Sequence, residues 1–173
     1  MLPYNRPSIF LNKLNHSLIN AVPLNAVAFA GGNKQSEQNR PLKAIIGHIF
    51  LNVKEFNESE LFYDQLMTEL GFEIDHVEQG DFGKMKSYKQ GDHNLWIRFD
   101  NHKQSEPFVR DVGLDHLAFE LKTEAEVEQV FKRVKKLNVR ITREPRKYPE
   151  YTETYYAFYF RDPNGIPLEV YRQ

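Results

Sequence analysis

Hydrophobic and polar positions along the chain follow two periods, one typical of strands and one typical of helices. Residues 44–53 (AIIGHIFLNV) are rich in β-branched and apolar side chains, which favours a strand. Apolar residues then recur at helical spacing between Asn57, a candidate N-cap, and Gly71, where the helix is expected to end. Three shorter strands are predicted near residues 72–78, 82–88 and 94–99.

The second half of the chain repeats this order. Residues 113–121 (GLDHLAFEL) predict a strand, and Thr123 and Glu126 have the spacing of a capping box. The apolar stripe that follows predicts a helix ending at Asn138. Further strands are predicted at residues 139–143, 155–160 and 167–171. The order is therefore βαβββ twice, and two units too small to bury their own sheet faces are expected to pack together.

One histidine occupies the same place in each copy of this unit. His48 lies 23 residues before Gly71, and His116 lies 22 residues before Asn138. The two strands align as GHIFLNV over DHLAFEL, with histidine over histidine. A lone strand histidine is usually a structural residue, but two at equivalent repeat positions favour a shared function.

Strand periodicity predicts where these side chains point. Successive residues of a strand face opposite sides of the sheet, and the large apolar residues next to each histidine share the face expected to cover a helix. His48 and His116 therefore point to the other, concave face. In the last predicted strand Glu169 does the same, since Leu168 and Val170 take the helix side. Two imidazoles and one carboxylate form the facial set that binds Fe(II), Mn(II) and related ions.

The composition limits the kinds of metal site, nucleophile and partner that the chain can have. The chain has 173 residues, a formal net charge of −1 and no cysteine. Any metal must therefore be held by His, Asp or Glu, and disulfides and cysteine nucleophiles are excluded. A basic excess, which would favour nucleic acid or an anionic membrane, is missing, and no apolar run is long enough to span a membrane. We expect a small-molecule substrate, no nucleic-acid or membrane partner, and a homodimer.

The N-terminal residues have a different character. Residues 31–40 (GGNKQSEQNR) contain no large apolar residue, which is typical of a linker. We therefore predict an arm and linker over residues 1–41 and one domain over residues 42–173, with modules at about 42–100 and 112–173. A cytoplasmic location is expected. The alternative is a signal peptide ending near Ala30, after a mildly apolar stretch that Asn20 and Pro23 interrupt.

A turn near the C-terminus completes a family resemblance. The sequence DPNG at residues 162–165, followed by Glu169, together with the doubled βαβββ unit and its two histidines, resembles the vicinal oxygen chelate superfamily, which includes glyoxalases, fosfomycin and bleomycin resistance proteins and extradiol dioxygenases. The resemblance covers residues 42–173. It implies an α+β fold whose two modules form a curved mixed sheet around a metal-binding cleft, with the helices outside. It also implies one divalent metal ion (Fe, Mn, Ni or Zn) held by His48, His116 and Glu169.

Other positions refine this resemblance. The family has four ligand positions, and Trp96 falls at the second of them, where it aligns with Glu169 of the other module. Because tryptophan cannot ligate a metal, this departure counts against a glyoxalase I. Arg98 should share the concave face with Trp96 and is a candidate for binding an anionic substrate. Tyr159, ten residues before Glu169, resembles the catalytic tyrosine of dioxygenases and fosfomycin-resistance proteins, although core packing would also explain it. His102 resembles an acid–base residue of some dioxygenases, but an exposed loop position explains it better.

Two hypotheses about function follow from these residues. The first is a divalent-metal-dependent enzyme acting on a small oxygen-rich molecule by dioxygenase, lyase or isomerase chemistry, with Tyr159 as a catalytic residue and Trp96 and Arg98 contacting the substrate. The second is a metal-free protein that binds a small molecule or antibiotic in the same cleft. The complete set of three ligands favours the first hypothesis.

Overall fold

The computed structural model describes residues 44–101, 106 and 108–173, and these form two α-helices, one short 3-10 helix (Lys135–Leu137) and eight strands. The predicted arm, residues 1–41, and His102 lie outside the described residues. The first module contains β1 (His48–Asn52), α1 (Phe56–Glu69), β2 (Glu73–Gly80), β3 (Gly83–Gln90) and β4 (His93–Asp100). The second contains β5 (Leu117–Glu120), α2 (Glu124–Val134), β6 (Ile141–Lys147), β7 (Tyr156–Arg161) and β8 (Pro167–Arg172). The α+β class and the doubled βαβββ order are confirmed.

The strands form two mixed four-stranded sheets of the same topology. The order is β1-β4-β3-β2 in the first sheet and β5-β8-β7-β6 in the second, and in each sheet only the first pair is parallel. Phe50 pairs with Trp96 in the first sheet as Ala118 pairs with Glu169 in the second. His48 lies two residues before Phe50, and His116 lies two residues before Ala118. The two modules therefore align in the predicted register.

The two helices begin in different ways. In α2 the predicted capping box is present: the Thr123 hydroxyl accepts a hydrogen bond from Glu126 N, and the Glu126 carboxylate accepts one from Thr123 N. In α1 the prediction of Asn57 as N-cap is wrong. The helix begins at Phe56, and its N-cap residue, Glu55, makes no side-chain capping bond. Phe56 is only 7% exposed, so its packing in the core sets the first turn.

Both modules bury their helix-bearing faces in a single core. The contributing residues come from both helices and from the inner faces of both sheets, among them Leu51, Leu66, Ile97, Val127, Phe158 and Leu168. Helix α1 contacts helix α2 within this core. Both sheets turn their helix-bearing faces towards this core. Their opposite faces, which carry the predicted ligands, are therefore directed away from the core. The sheets are open, and β1 and β5 each lie at a sheet edge.

The turn with the sequence DPNG connects the two modules. Asp162 accepts a hydrogen bond from the Tyr63 hydroxyl of α1 at 3.0 Å, and Asn164 accepts one from Lys54 N at 2.7 Å. Gly165 has a φ of 87°, a left-handed conformation that glycine adopts without strain. The turn thus fixes the start of β8, which carries Glu169. In the described part of the chain, no helix is long and apolar enough to cross a membrane.

Candidate metal centre

Two of the three predicted ligands meet on the concave face of the second sheet. Glu169 lies in the middle of β8, and its side chain is only 3% exposed. His116 is the residue immediately before β5, the strand that runs parallel to β8. Its Nε2 atom lies 3.0 Å from Oε2 of Glu169. An imidazole nitrogen and a carboxylate oxygen both suit divalent Mn, Fe, Ni or Zn, so this donor pair fits part of a metal site.

The histidine of this pair is held on its other side by a carboxylate. Asp115 Oδ2 lies 2.8 Å from His116 Nδ1, and Asp115 Oδ1 lies 2.6 Å from the Arg110 guanidinium. The hydrogen bond from His116, with that from Arg110 second, holds the pKa of the Asp115 carboxyl below its usual value. A carboxylate bound to one ring nitrogen fixes the orientation of the ring and leaves Nε2 free to bind a metal, as is common in metal-binding histidines.

The glutamate is bordered by two tyrosines. The Tyr155 hydroxyl donates a hydrogen bond to Glu169 Oε1 at 2.8 Å. Tyr159, which pairs with Glu169 across β7 and β8, lies on the same face, so the prediction that it faces the site agrees with the register. Burial, followed by the neighbouring Glu169 carboxylate, raises the pKa of both phenols well above the usual value. Both hydroxyls therefore stay protonated at neutral pH and serve as donors.

The third predicted ligand is in the other sheet. His48 is the first residue of β1, it is exposed, and its ring makes an edge contact with Phe50 at 5.4 Å between centroids. Among the residues that the structure describes, no three His, Asp or Glu side chains of one chain form a group able to hold a metal. That His48 joins His116 and Glu169 in one site stays a prediction, and within one chain the two concave faces are directed away from the shared core.

Trp96 and Arg98 line the concave face of the first sheet. The Trp96 ring stacks on Phe50 with centroids 5.1 Å apart, and His76 lies against it at 5.6 Å. Arg98 Nη2 lies 3.3 Å from Asp100 Oδ2, so part of its charge is already paired, while its buried Nε has no hydrogen-bond partner among the described residues. The position equivalent to Glu169 thus holds an aromatic wall instead of a ligand.

An open groove of about 510 Å³ runs between the two sheet edges. Its lining is mainly apolar and comes from β1, β5 and the residues that follow α1. It also contains the polar side chains of His48, Gln90, His93, Asn94 and Glu120, but neither His116 nor Glu169. Ile46 and Phe50, on the same side of β1 as His48, are 73% and 45% exposed. His48 is therefore accessible and has partly apolar surroundings, whereas Glu169 is enclosed.

Two residues of this centre were not predicted from the sequence. Tyr155 has the same strand parity as Tyr159, and this parity was the available indication that Tyr155 faces the site. Because residues 155–160 include five aromatics, packing in the core was an equally good explanation for every one of these aromatics. Asp115 directly precedes His116 in the sequence, and this adjacency was its only signal. Neither pattern specifies which atom a side chain reaches, and only the folded structure does.

Comparison with known proteins gives one consistent result. A family model, Glyoxalase/Bleomycin resistance protein/Dioxygenase superfamily, matches residues 45–170. Among solved structures, a glyoxalase-like protein of Bacillus halodurans is 28% identical with a TM-score of 0.62, over 76% of this chain and 97% of that chain. No curated protein matches the chain.

Two further solved structures share the fold at lower identity. Lactoylglutathione lyase from Agrobacterium tumefaciens is 24% identical with a TM-score of 0.54, over 77% of this chain and 96% of that one. The fosfomycin resistance protein FosX from Listeria monocytogenes is 19% identical with a TM-score of 0.56, over 75% of this chain and 90% of that one. At these identities the likeness is one of fold.

Proposed function

This chain belongs to the Glyoxalase/Bleomycin resistance protein/Dioxygenase superfamily, and we propose that it is a divalent-metal-dependent enzyme acting on a small oxygen-rich molecule. The observation that carries the proposal is the contact of His116 Nε2 with Glu169 Oε2 at 3.0 Å around a carboxylate that is almost fully buried. Burying a carboxylate is costly unless it is paired, so a site that keeps one beside an imidazole is suited to a cation.

We infer that His48 of a second copy completes the site. The histidine is exposed on the concave face of its own sheet, beside the exposed apolar side chains of Ile46 and Phe50. A two-fold symmetric dimer that covers these side chains would bring the concave face of one first sheet over the second sheet of the other copy. Each dimer would then contain two equivalent sites, each with one ligand from one copy and His116 and Glu169 from the other.

The bound ion would act as a Lewis acid on vicinal oxygens of the substrate, in dioxygenase, lyase or isomerase chemistry. The residues of this chain have separate tasks around it. Glu169 supplies the negative charge, and Asp115 orients His116. Tyr159, which stays protonated beside Glu169, would donate a hydrogen bond to a substrate oxygen. Trp96 and Arg98 would bound the pocket from the other sheet, with Trp96 packing on apolar or planar parts of the substrate.

A relative of the same fold gives independent support for a metal. The structure of Listeria monocytogenes FosX is a complex with Mn(II) and 1S,2S-dihydroxypropylphosphonic acid, a small molecule with neighbouring oxygens. His, Glu and an open coordination sphere suit Mn(II) and Fe(II), so these ions come first in a screen of this chain.

Metal analysis of the full chain, purified without chelator, tests the proposal. We expect a divalent ion to be retained, or to bind when Fe(II), Mn(II), Ni(II) or Zn(II) is supplied, and one of these ions to support turnover in a screen of vicinal diols, hydroxyketones and catechols. A protein that binds none of the four ions in calorimetry would contradict the proposal.

The absence of a three-ligand group within one described chain favours a second candidate, a metal-free protein that binds a small molecule or antibiotic. Trp96 at the family's second ligand position points the same way, because it replaces a possible ligand with an aromatic surface. The two candidates differ in one measurement. A metal-free binding protein would bind its ligand equally well with and without a strong chelator, whereas the proposed enzyme would lose chelating ligands when the metal is removed.

A further inference from the structure

The two oxygens of the Glu169 carboxylate have different partners. Oε2 faces His116 Nε2 at 3.0 Å, whereas Oε1 accepts the hydrogen bond from the Tyr155 hydroxyl at 2.8 Å. The carboxylate is 3% exposed, so solvent hardly competes for either oxygen. One oxygen is therefore directed at the candidate metal position, and the other is already bound by the protein.

Tyr155 itself is held firmly in place. Its ring stacks on Tyr171 with centroids 5.0 Å apart and an interplanar angle of 12°, and Tyr151 makes an edge contact with it at 5.2 Å. Packing on two sides restricts the ring to one orientation, so the hydroxyl cannot leave Oε1 without breaking these contacts. Tyr171 directs its own hydroxyl elsewhere, to Glu120 at 3.2 Å.

We propose that Tyr155 is the positioning residue of Glu169, because its hydrogen bond holds Oε1 and so directs Oε2 towards the metal. The proposal rests on the proposed function, since it assigns a role towards the metal of that site. A carboxylate with both oxygens free can bind a cation through either one or through both, as it does in calcium sites. A hydrogen bond to Oε1 favours binding through Oε2, and the ligand is already oriented before the metal arrives.

The test compares Tyr155→Phe with Tyr171→Phe in the full chain, using Mn(II) alone as the probe. Each variant removes one hydroxyl from the same ring stack, but only the first removes a hydrogen bond to Glu169. Electron paramagnetic resonance measures free Mn(II), which gives the affinity, and the spectrum of bound Mn(II) reports its coordination. Near-ultraviolet circular dichroism and melting verify that both variants keep the fold, as expected because phenylalanine retains the stacked ring.

We expect Tyr155→Phe to weaken Mn(II) binding about tenfold or more, as is typical for the loss of a hydrogen bond to a metal ligand. Its bound-Mn(II) spectrum should differ from that of the wild type, while Tyr171→Phe matches the wild type in both measurements. Wild-type affinity and spectrum in Tyr155→Phe would overturn the positioning role, as would equal losses in both variants. A wild-type protein that binds no Mn(II), Fe(II), Ni(II) or Zn(II) would instead overturn the proposed function, and this role with it.

Discussion

At the level of single residues, Glu169 is a charged group that the fold has buried. Its side chain is 3% exposed, and its described polar partners are the His116 imidazole and the hydroxyls of Tyr155 and Tyr159. Within the described ranges of the chain, no lysine or arginine is bound to it. A buried carboxylate with hydrogen-bond partners but without a full countercharge is favoured when a cation completes the site.

Replacing Glu169 with Gln tests this interpretation. The amide removes the charge but its oxygen can still accept the Tyr155 hydrogen bond, and the fully buried neighbours Leu168 and Val170 still pack in the core. We expect metal affinity in calorimetry to fall by more than about 100-fold, beyond the usual effect of losing a residue that only supports a ligand. The melting temperature of the metal-free protein should change little.

Glu120→Gln is the matched control for this variant. Glu120 lies at the end of β5 in the same sheet and accepts a hydrogen bond from Tyr171, but it makes no described contact with His116 or Glu169. Its metal affinity should equal that of the wild type. Equal metal affinity in Glu169→Gln and Glu120→Gln would remove Glu169 from the site.

Residue periodicity could predict part of this centre. The alternation of faces in three strands was sufficient to place His48, His116 and Glu169 on concave faces, because a two-residue period is read directly from the sequence. The hydrogen bond of Tyr155 could not be predicted in this way. Parity gives the face of a side chain, whereas the partner of a hydroxyl depends on strand register and ring packing across β7 and β8.

At the level of elements, the first residue of one helix is set by local interactions and that of the other by contacts with distant residues. Helix α2 begins at the capping box that its sequence predicts, because Thr123 and Glu126 satisfy each other's backbone donors locally. Helix α1 begins at Phe56, one residue before the predicted cap Asn57, without a side-chain capping bond. Burial of Phe56 decides its start, and a buried contact with distant residues is not visible in a local sequence pattern.

Matched alanine variants measure this difference. Thr123→Ala removes the capping bond to Glu126 N and is expected to cost about 1 kcal/mol of unfolding free energy, or about 2–4 °C in melting temperature. Asn57→Ala should cost much less, since Asn57 is exposed and makes no capping bond. Urea unfolding of both variants gives the two values. A loss from Asn57→Ala as large as that from Thr123→Ala would restore Asn57 as the cap.

At the level of the whole molecule, the arrangement of the modules is the feature that sequence patterns could not determine. The repeat predicted two equivalent sheets, and strand parity predicted their concave faces. The two concave faces could meet within one chain or between two chains, and both arrangements bury the same apolar positions. The repeat and the strand parity therefore do not distinguish these two arrangements. In the described residues, α1, α2 and the inner faces of both sheets share one core, which directs the two concave faces of one chain away from it.

The N-terminal residues provide another prediction at this level. Residues 43–173 form one compact unit of the chain and contain every candidate site residue. A chain shortened to begin at Leu42 is therefore expected to fold and to bind metal with unchanged affinity. Size-exclusion chromatography, melting and metal titration of both lengths provide the check. Aggregation, an altered oligomeric state or lost metal in the short chain would make the N-terminal residues part of the fold.

The proposed metal site takes His48 from one copy and His116 and Glu169 from another. Two defective variants, His48→Ala and Glu169→Gln, expressed together with different affinity tags, test this arrangement. Each variant alone lacks a ligand in both sites of its dimer. In the mixed dimer, the Glu169→Gln copy supplies His48 to the intact His116 and Glu169 of the other copy, which restores one of the two sites.

Metal titration of the mixed dimer, isolated through both tags, gives the decisive number. We expect about one tightly bound Mn(II) per mixed dimer and about two per wild-type dimer carried through the same procedure, with none bound tightly by either variant alone. A mixed dimer that binds no Mn(II) tightly, beside a wild-type dimer that does, would show that the site is not shared between copies in this way.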